Sequence, residues 1–360
     1  MSFSFNAPLG EVSFGQVSTL LLRGFFSRGI KPNVFVIGQN PTFSSQKQDQ
    51  EFTSSVSQCI GKAHESHSRE TPTLKLWHLN QGMDSFSKVN YLLTFHELDQ
   101  PTPHELNVAK NCDKLIFTSK YTQDIFSQFG VKSEVVPLAF DKHNFKKINK
   151  KYFEDERIVF NLCGKFEKRK HHERIIKAWC KKFGNNKKYY LQCALFNPFI
   201  DEQSNKQNFI RSLEGKNYFN VQFLGHMPTN ELYNDYLNSG DIIIGMSGAE
   251  GWGLPEFQSV ALGKHSVILD AHAYKEWANE SNSVLVQPSG KIEAYDGLFF
   301  KPNEPYNQGN IYDFSEDDFI SSCEEAIKRY ESSQVNENGL KLQEDFSLDK
   351  TLDKLLPIIQ

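Results

Sequence analysis

Two short clusters, far apart in the chain, combine residue types able to grip a phosphoanhydride. The first is Leu162-Cys-Gly-Lys-Phe-Glu-Lys-Arg-Lys170. Here an apolar run ends in a basic loop, and Lys165 and Lys170 bracket a turn that can aim two ammonium groups at one point. A departing diphosphate gains negative charge, and fixed cations stabilise that transition state. A solvated basic loop is the plain alternative. The second cluster is Ser247-Gly-Ala-Glu-Gly-Trp-Gly-Leu-Pro-Glu-Phe-Gln258, followed by Ser259-Val-Ala-Leu-Gly263. A glycine-rich loop running into a helix offers backbone amides to a phosphate, while Glu250 and Gln258 can accept from sugar hydroxyls. A purely structural turn accounts poorly for so many glycines around one acid. The sequence contains no Asp-x-Asp pair. A metal clamp on the diphosphate therefore has no obvious ligands, and cationic side chains with helix N-termini are expected to take its place.

Two further segments have weaker signals. Pro8-Leu-Gly-Glu-Val-Ser-Phe-Gly-Gln16 lies between a first strand and a helical run over Val17–Arg28. Gly10 and Gly15 either let backbone amides approach an anion or simply make a tight turn. Thr94-Phe-His-Glu-Leu-Asp99 closes an apolar strand. Side chains just past the carboxyl end of a parallel strand sit where such sheets bind ligands, although His96 can equally be a loop histidine bonded to backbone.

The elements that must position these residues follow from periodicity. Short apolar runs predict strands at Val34–Ile37, Leu74–Trp77, Tyr91–Phe95, Lys114–Phe117 and Glu134–Pro137. Others are predicted at Ile158–Cys163, Tyr189–Leu195, Asn220–Leu224, Asp241–Gly245, Ser266–Leu269 and Ser283–Val286. Amphipathic helical stretches separate them, such as Glu173–Phe183 with Ile175, Ile176, Trp179 and Phe183 on one face. Such alternation implies parallel sheets covered by helices. The polar stretch Asp141–Glu156, with Lys142, Lys146, Lys147, Lys150 and Lys151, reads as a solvated connection between domains, with a phosphate-rich acceptor docking on it as the alternative. Phe314–Tyr330 and Leu340–Ile359 are expected to be helical.

A chain of 360 residues, 39% of them hydrophobic and 30 of them Phe, suits two ordinary domains rather than disorder. Its net charge of −4 gives no global pull toward nucleic acid or anionic lipid. The six cysteines include no C-x-x-C pair and read as reduced thiols. No secretory leader is recognisable at Met1, and no apolar run reaches the roughly 18 residues of a membrane span. A soluble, cytoplasmic protein is expected.

The two phosphate-directed clusters together resemble glycosyltransferase family 4, the retaining enzymes of the GT-B fold. That family's patterns are G-R-x-x-x-x-K-G and E-G-F-G-L-P-x-x-E with a following G-x-P-V. Here they read Gly164-Lys-Phe-Glu-Lys-Arg-Lys-His171 and Glu250-Gly-Trp-Gly-Leu-Pro-Glu-Phe-Gln258 with Gly263-Lys-His-Ser-Val267. Ser119-Lys-Tyr-Thr-Gln-Asp-Ile-Phe126, Val136-Pro-Leu-Ala-Phe-Asp141 and Phe346-Ser-Leu-Asp349 extend the resemblance over nearly the whole length. It implies two Rossmann-like domains, at 1–145 and 146–339, with the donor cleft between them. A C-terminal helix within 340–360 would cross back to the first domain. It also implies a retaining, metal-independent transfer of a hexose from a nucleotide-diphosphate sugar, with no separate cofactor. By position, Lys165 and Lys170 would grip the diphosphate, with Gly164 opening their loop. Glu250 would face the sugar, Gly251, Trp252, Gly253 and Leu254 would cradle sugar and phosphate, and Gln258 would meet the ribose. His96 would line the reaction centre from the first domain, and Gly15 would belong to the flexible loop after the first strand.

Three positions depart from the pattern. Lys165 stands for Arg and loses the bidentate fork, His171 stands for Gly, and Gln258 stands for Glu. A neutral amide makes weaker hydrogen bonds than a carboxylate, roughly 1 against 1.5–3 kcal/mol. These departures support a rival reading, a weakened GT-B protein that only binds nucleotide sugar or glycan. An epimerase or phosphorylase on the same fold is a third. The acceptor (glycan, modified phage DNA or small metabolite) is left open.

Overall fold

The computed structural model describes residues 2–38 and 41–359. The first half runs β1 (Ser4–Ala7), α1 (Ser13–Ser27), β2 (Asn33–Val36), α2 (Gln50–Gly61), α3 (Ala63–Ser66), β3 (Thr73–Leu76) and β4 (Asn90–Thr94). It continues through α4 (Pro103–Asn111), β5 (Lys114–Phe117), α5 (Lys120–Ser127) and β6 (Glu134–Val135). Its six strands are all parallel, in the order β2-β1-β3-β4-β5-β6. Phe5, Leu74, Leu76, Leu92, Leu93, Ile116 and Phe117 are buried along the sheet. Helix starts are set by capping side chains: Asp49 for α2, Thr102 with Glu105 as a capping box for α4, and Ser119 for α5.

The second half comprises β7 (Ile158–Gly164), α6 (His172–Phe183), β8 (Tyr189–Leu195), α7 (Glu202–Ser212), β9 (Val221–Leu224) and α8 (Asn230–Ser239). Then follow β10 (Ile242–Gly245), α9 (Leu254–Ala261), β11 (His265–Leu269) and β12 (Val284–Val286). This sheet is also parallel, ordered β12-β11-β10-β7-β8-β9. The chain therefore works outward from β7 in one direction and then from β10 in the other. The crevice beyond the carboxyl ends of β7 and β10 is the topological switch point, where open α/β sheets bind ligands. Both sequence clusters that favour phosphate lie there.

An antiparallel hairpin, β13 (Pro288–Glu293) and β14 (Asn310–Phe314), interrupts the pattern. After it come α10 (Glu316–Ser332), α11 (Glu337–Leu340), α12 (Leu342–Asp345) and α13 (Leu348–Leu355). The tail crosses back to the first half. Leu352 and Leu348 fill the space over Gly24 of α1, Thr351 Oγ1 donates to the Pro137 carbonyl at 3.0 Å, and the Phe140 amide donates to Phe346 at 2.8 Å.

Four expectations change. The C-terminal helix is broken into short pieces, because Ser347 caps a new start and Phe346 leaves helical geometry. Phe314 ends a strand, and the helix expected from it starts at Glu316. Helix α1 begins at Ser13, so Gly15 sits in its first turn and not in a loop. The Asp141–Glu156 connection is only partly solvated. Its lysines are exposed, but Asn144 and Phe145 are buried. The amides of Lys146 and Ile148 donate to Asn234 and Asn238 of α8 at 3.0 and 2.8 Å.

Candidate functional site

Strand β7 delivers Gly164 and the basic loop to the crevice. A short turn over Lys168–Lys170 is followed by His171, whose φ of 55° and ψ of 17° place it in the left-handed region. This is the position where the family pattern has glycine, and the backbone shape that glycine would adopt freely is kept by a histidine. Its ring compensates for the strain, with Nε2 2.8 Å from the Tyr312 carbonyl in β14 and an edge-on contact to Phe314.

The turn sends Arg169 and Lys170 inward, both buried. Lys170 Nζ pairs with Glu250 Oε1. Arg169 spreads its fork over three carboxylates: Glu250 Oε1 at 3.0 Å, Glu167 Oε2 at 2.9 Å and Glu97 Oε1 at 3.1 Å. It also donates to the Ala249 carbonyl at 2.5 Å. Lys165, by contrast, stays partly exposed. Its ammonium binds Glu167 Oε1 at 2.7 Å and lies over the rings of Phe299 and Phe199, 4.7 and 5.4 Å from their centroids. Lys165 and Lys170 therefore belong to one network, linked through Glu167, Arg169 and Glu250, but their ammonium groups have different partners.

Strand β10 delivers the glycine-rich loop. Gly253 has φ of 81°, and a side chain there would run into the Tyr274 ring, so both shape and space require glycine. Pro255 then starts α9 in its first turn, where its missing amide is no loss. Gly251 meets the first half directly: a Cβ on it would lie 2.7 Å from Phe95 Cβ, and its carbonyl accepts from Thr118 Oγ1 at 2.8 Å. Trp252 points the other way. Its ring is buried against Phe257 and Phe346, so only its backbone remains for a ligand. Leu254 is the first residue of α9. Gln258 is buried within the same helix and takes no part in the ion-pair cluster among the described residues.

From the first half, the residue that reaches the cluster is Glu97, directly after His96. His96 turns away. It is buried edge-on to Phe126 of α5, with centroids 5.0 Å apart, and its Nε2 has no hydrogen-bond partner. The expected histidine at the reaction centre is therefore not among the residues that the structure gathers there. Gly15 lies at the first sheet's own switch point, under the backbone of Gly10.

The electrostatics are those of a closed set of opposite charges. Burial alone would raise the Glu250 carboxyl, but Lys170 and Arg169 overcome it and hold the group well below the usual carboxylate range. Burial opposes the Lys170 and Arg169 charges, and the surrounding carboxylates still leave both pKa values raised. Glu97 shifts upward through desolvation, only partly countered by Arg169. Glu256, in the first turn of α9, is pushed up to about 7 by burial, with Lys170 opposing and Glu250 reinforcing the shift. Its Oε2 has no hydrogen-bond partner. His272 is lowered to about 4 by burial and keeps Nε2 2.7 Å from the Ser247 carbonyl, so the neutral ring donates there. Among the described residues no group of His, Cys, Asp and Glu could hold a metal ion. No helix among them is long and apolar enough to cross a membrane.

Arg169, Glu97, Glu167, Glu256 and His272 were not singled out by sequence reasoning. For two of them a signal existed. Successive side chains in a turn or after a strand point in different directions, so Arg169 and Glu97 were as eligible as Lys170 and His96.

No protein-family model and no curated protein matches this chain. Solved structures do. Sucrose-phosphate synthase from Thermosynechococcus elongatus aligns with a TM-score of 0.70 at 12% identity, covering 99% of this chain and 98% of that one. HepE of Anabaena in complex with UDP-glucose aligns at 0.67 and 14% identity, covering 100% and 99%. WaaG, a glycosyltransferase involved in lipopolysaccharide biosynthesis, aligns at 0.62 and 10% identity over the whole of both chains. The shared property is the fold, the two-sheet GT-B arrangement.

Proposed function

We propose that the chain is a retaining, metal-independent glycosyltransferase that moves a hexose from a nucleotide-diphosphate sugar to an acceptor hydroxyl. The observation that carries this is the Lys170–Glu250–Arg169 cluster, placed at the switch point of one parallel sheet beside the start of α9 and reached by Glu97 from the other sheet. HepE, of the same fold, was solved with UDP-glucose, which makes that compound the first donor to test.

In this mechanism Lys170 and Lys165 take the diphosphate, and the amides of the Gly251–Leu254 segment hold sugar and phosphate at the N-terminus of α9. Glu250 stays ionised beside Lys170 and accepts from sugar hydroxyls. The bond from the anomeric carbon to the diphosphate oxygen breaks, and cationic side chains neutralise the leaving group. The acceptor oxygen attacks the same face, and its proton passes to the departing phosphate oxygen. No enzymic nucleophile is needed. Gln258 would contact the ribose as a neutral amide, and His96 would act through packing of its loop.

The test is incubation with UDP-glucose and other nucleotide sugars, with and without excess EDTA, following the anomeric configuration of the released sugar or product by NMR. Retained configuration and unchanged rate in EDTA are expected. Inversion, or a rate abolished by EDTA and restored by Mg²⁺ or Mn²⁺, contradicts the proposal. Tight binding of a nucleotide sugar with no cleavage would favour the binding-only alternative.

A further inference from the structure

The hairpin β13–β14 belongs to the second half, yet it is fastened to the first. Where its loop enters β14, Asp99 Oδ1 accepts from the Asn310 amide at 2.8 Å, and Oδ2 accepts from Asn310 Nδ2 at 3.2 Å and Lys291 Nζ at 3.0 Å. Only 10% of the Asp99 side chain is exposed. At the tip, Thr102 Oγ1 donates to the Pro305 carbonyl at 2.6 Å, and the Asn307 amide donates to Glu105 Oε1 at 3.0 Å. The Tyr306 hydroxyl reaches His104 Nε2 at 2.7 Å. Beneath these bonds Leu98, Ala294, Phe300 and Ile311 form a small buried cluster with Ala249, the neighbour of Glu250. The other side of the hairpin holds the basic turn, because Lys168 Nζ donates to the carbonyls of Glu293 and Tyr295 at 3.1 and 2.8 Å.

The hairpin is thus tied at once to the segment that carries Glu97 and to the turn that carries Arg169. We infer that Asp99 is a positioning residue: by fastening the segment after β4 to the start of β14, it holds Glu97 against Arg169, and the first half completes the site only while this latch is closed. Asp99 touches none of the ion-pair cluster itself. A single residue, Leu98, separates it from Glu97, so releasing it frees the Glu97 carboxylate to leave the guanidinium. The donor-gripping residues all lie in the second half, so release should impair completion of the site more than donor capture.

Its turnover readout rests on the proposed transfer, whereas its structural readout does not. In the full chain, Asp99→Ala is expected to speed amide exchange about tenfold in two segments distant in sequence from the substitution, 302–308 and 166–172, the effect of one lost charge-assisted hydrogen bond or more. The kcat for UDP-glucose cleavage should fall about tenfold, with the calorimetric Kd for UDP within about twofold of wild type. Asp99→Asn keeps an acceptor for the Asn310 amide and should recover most of both losses. Lys291→Ala removes one bond from the exposed side of the hairpin and should move both readouts the same way by less, which keeps the test intact if Asp99→Ala folds poorly. Unchanged exchange in both segments overturns the inference, as does a UDP Kd that rises in step with the loss of kcat. If the wild type neither binds UDP nor cleaves UDP-glucose, the proposed transfer falls, and exchange alone decides the latch.

Discussion

Arg169 is the residue on which the charge balance turns. Among the described residues it is the one side chain that touches carboxylates from both halves of the molecule, Glu97 on one side and Glu250 and Glu167 on the other. A buried pair broken from one side leaves a charge uncompensated, which costs about 3 kcal/mol or more. Arg169→Ala is therefore expected to lower the unfolding free energy by about that amount in urea titrations. Arg169→Lys should recover only part of it, because an ammonium cannot reproduce a fork shared among three acids. A loss under about 1 kcal/mol for the alanine variant would mean that the network contributes little beyond an exposed ion pair. Sequence reasoning identified Lys170 and Glu250 because a phosphate site needs a cation and a glycine-rich loop needs a reason for its acid. It passed over Arg169 and Glu97 because which of two adjacent polar residues turns inward is decided by a turn's local geometry, here the left-handed His171 that ends it.

That turn is an element-scale device. His171→Ala keeps the left-handed strain and loses the Tyr312 contact, whereas His171→Gly loses the contact but also the strain. Thermal unfolding should rank wild type above the glycine variant and glycine above alanine, with alanine about 1–2 kcal/mol below glycine. The reverse order would show that neither backbone strain nor the Tyr312 contact sets stability at this position. Helix α9 makes a second prediction through Glu256. Its pKa is raised from 4.5 to about 7 by burial, so across that interval the folded protein holds a proton that the unfolded chain has released. This contribution is full below 4.5 and is lost as pH rises through about 7. Glu97, also shifted up, has the same sign, while His272, shifted down to about 4, has the opposite one. Glu256→Gln stays neutral throughout and isolates the acid: its stability relative to wild type should improve by up to about 3 kcal/mol between about pH 5 and about pH 8. A pH-independent difference would place the carboxyl in a more polar setting than the helix start provides. The elements themselves were largely legible, because parallel strands buried on both faces leave apolar runs such as Ile158–Cys163 and Asp241–Gly245. The hairpin was not. Pro288–Glu293 is mostly exposed on both faces, so no apolar alternation marks it.

At the scale of the whole molecule, the two sheets do not have wholly separate cores. One buried cluster runs from Phe5, Phe25 and Ile116 through Phe140 and Phe145 to Trp252, Phe257 and Tyr274, and on to Leu352 and Ile359. The connection at 136–145 and the returning tail supply much of that continuity, as in the Phe140–Phe257 contact, with ring centroids 6.3 Å apart. Closure at the hairpin and the Thr118–Gly251 bond complete the crevice on the functional side. The central claim is that this junction exists to stabilise a departing diphosphate. The most direct measurement is release of UDP from UDP-glucose at saturating donor, in excess EDTA, for wild type and Lys170→Ala. The wild type should release UDP, and the variant should be slower by about 10²-fold or more, the cost of removing one preorganised charge donor. A variant that matches wild type would contradict the account, because the ammonium paired with Glu250 would then have no part in the reaction.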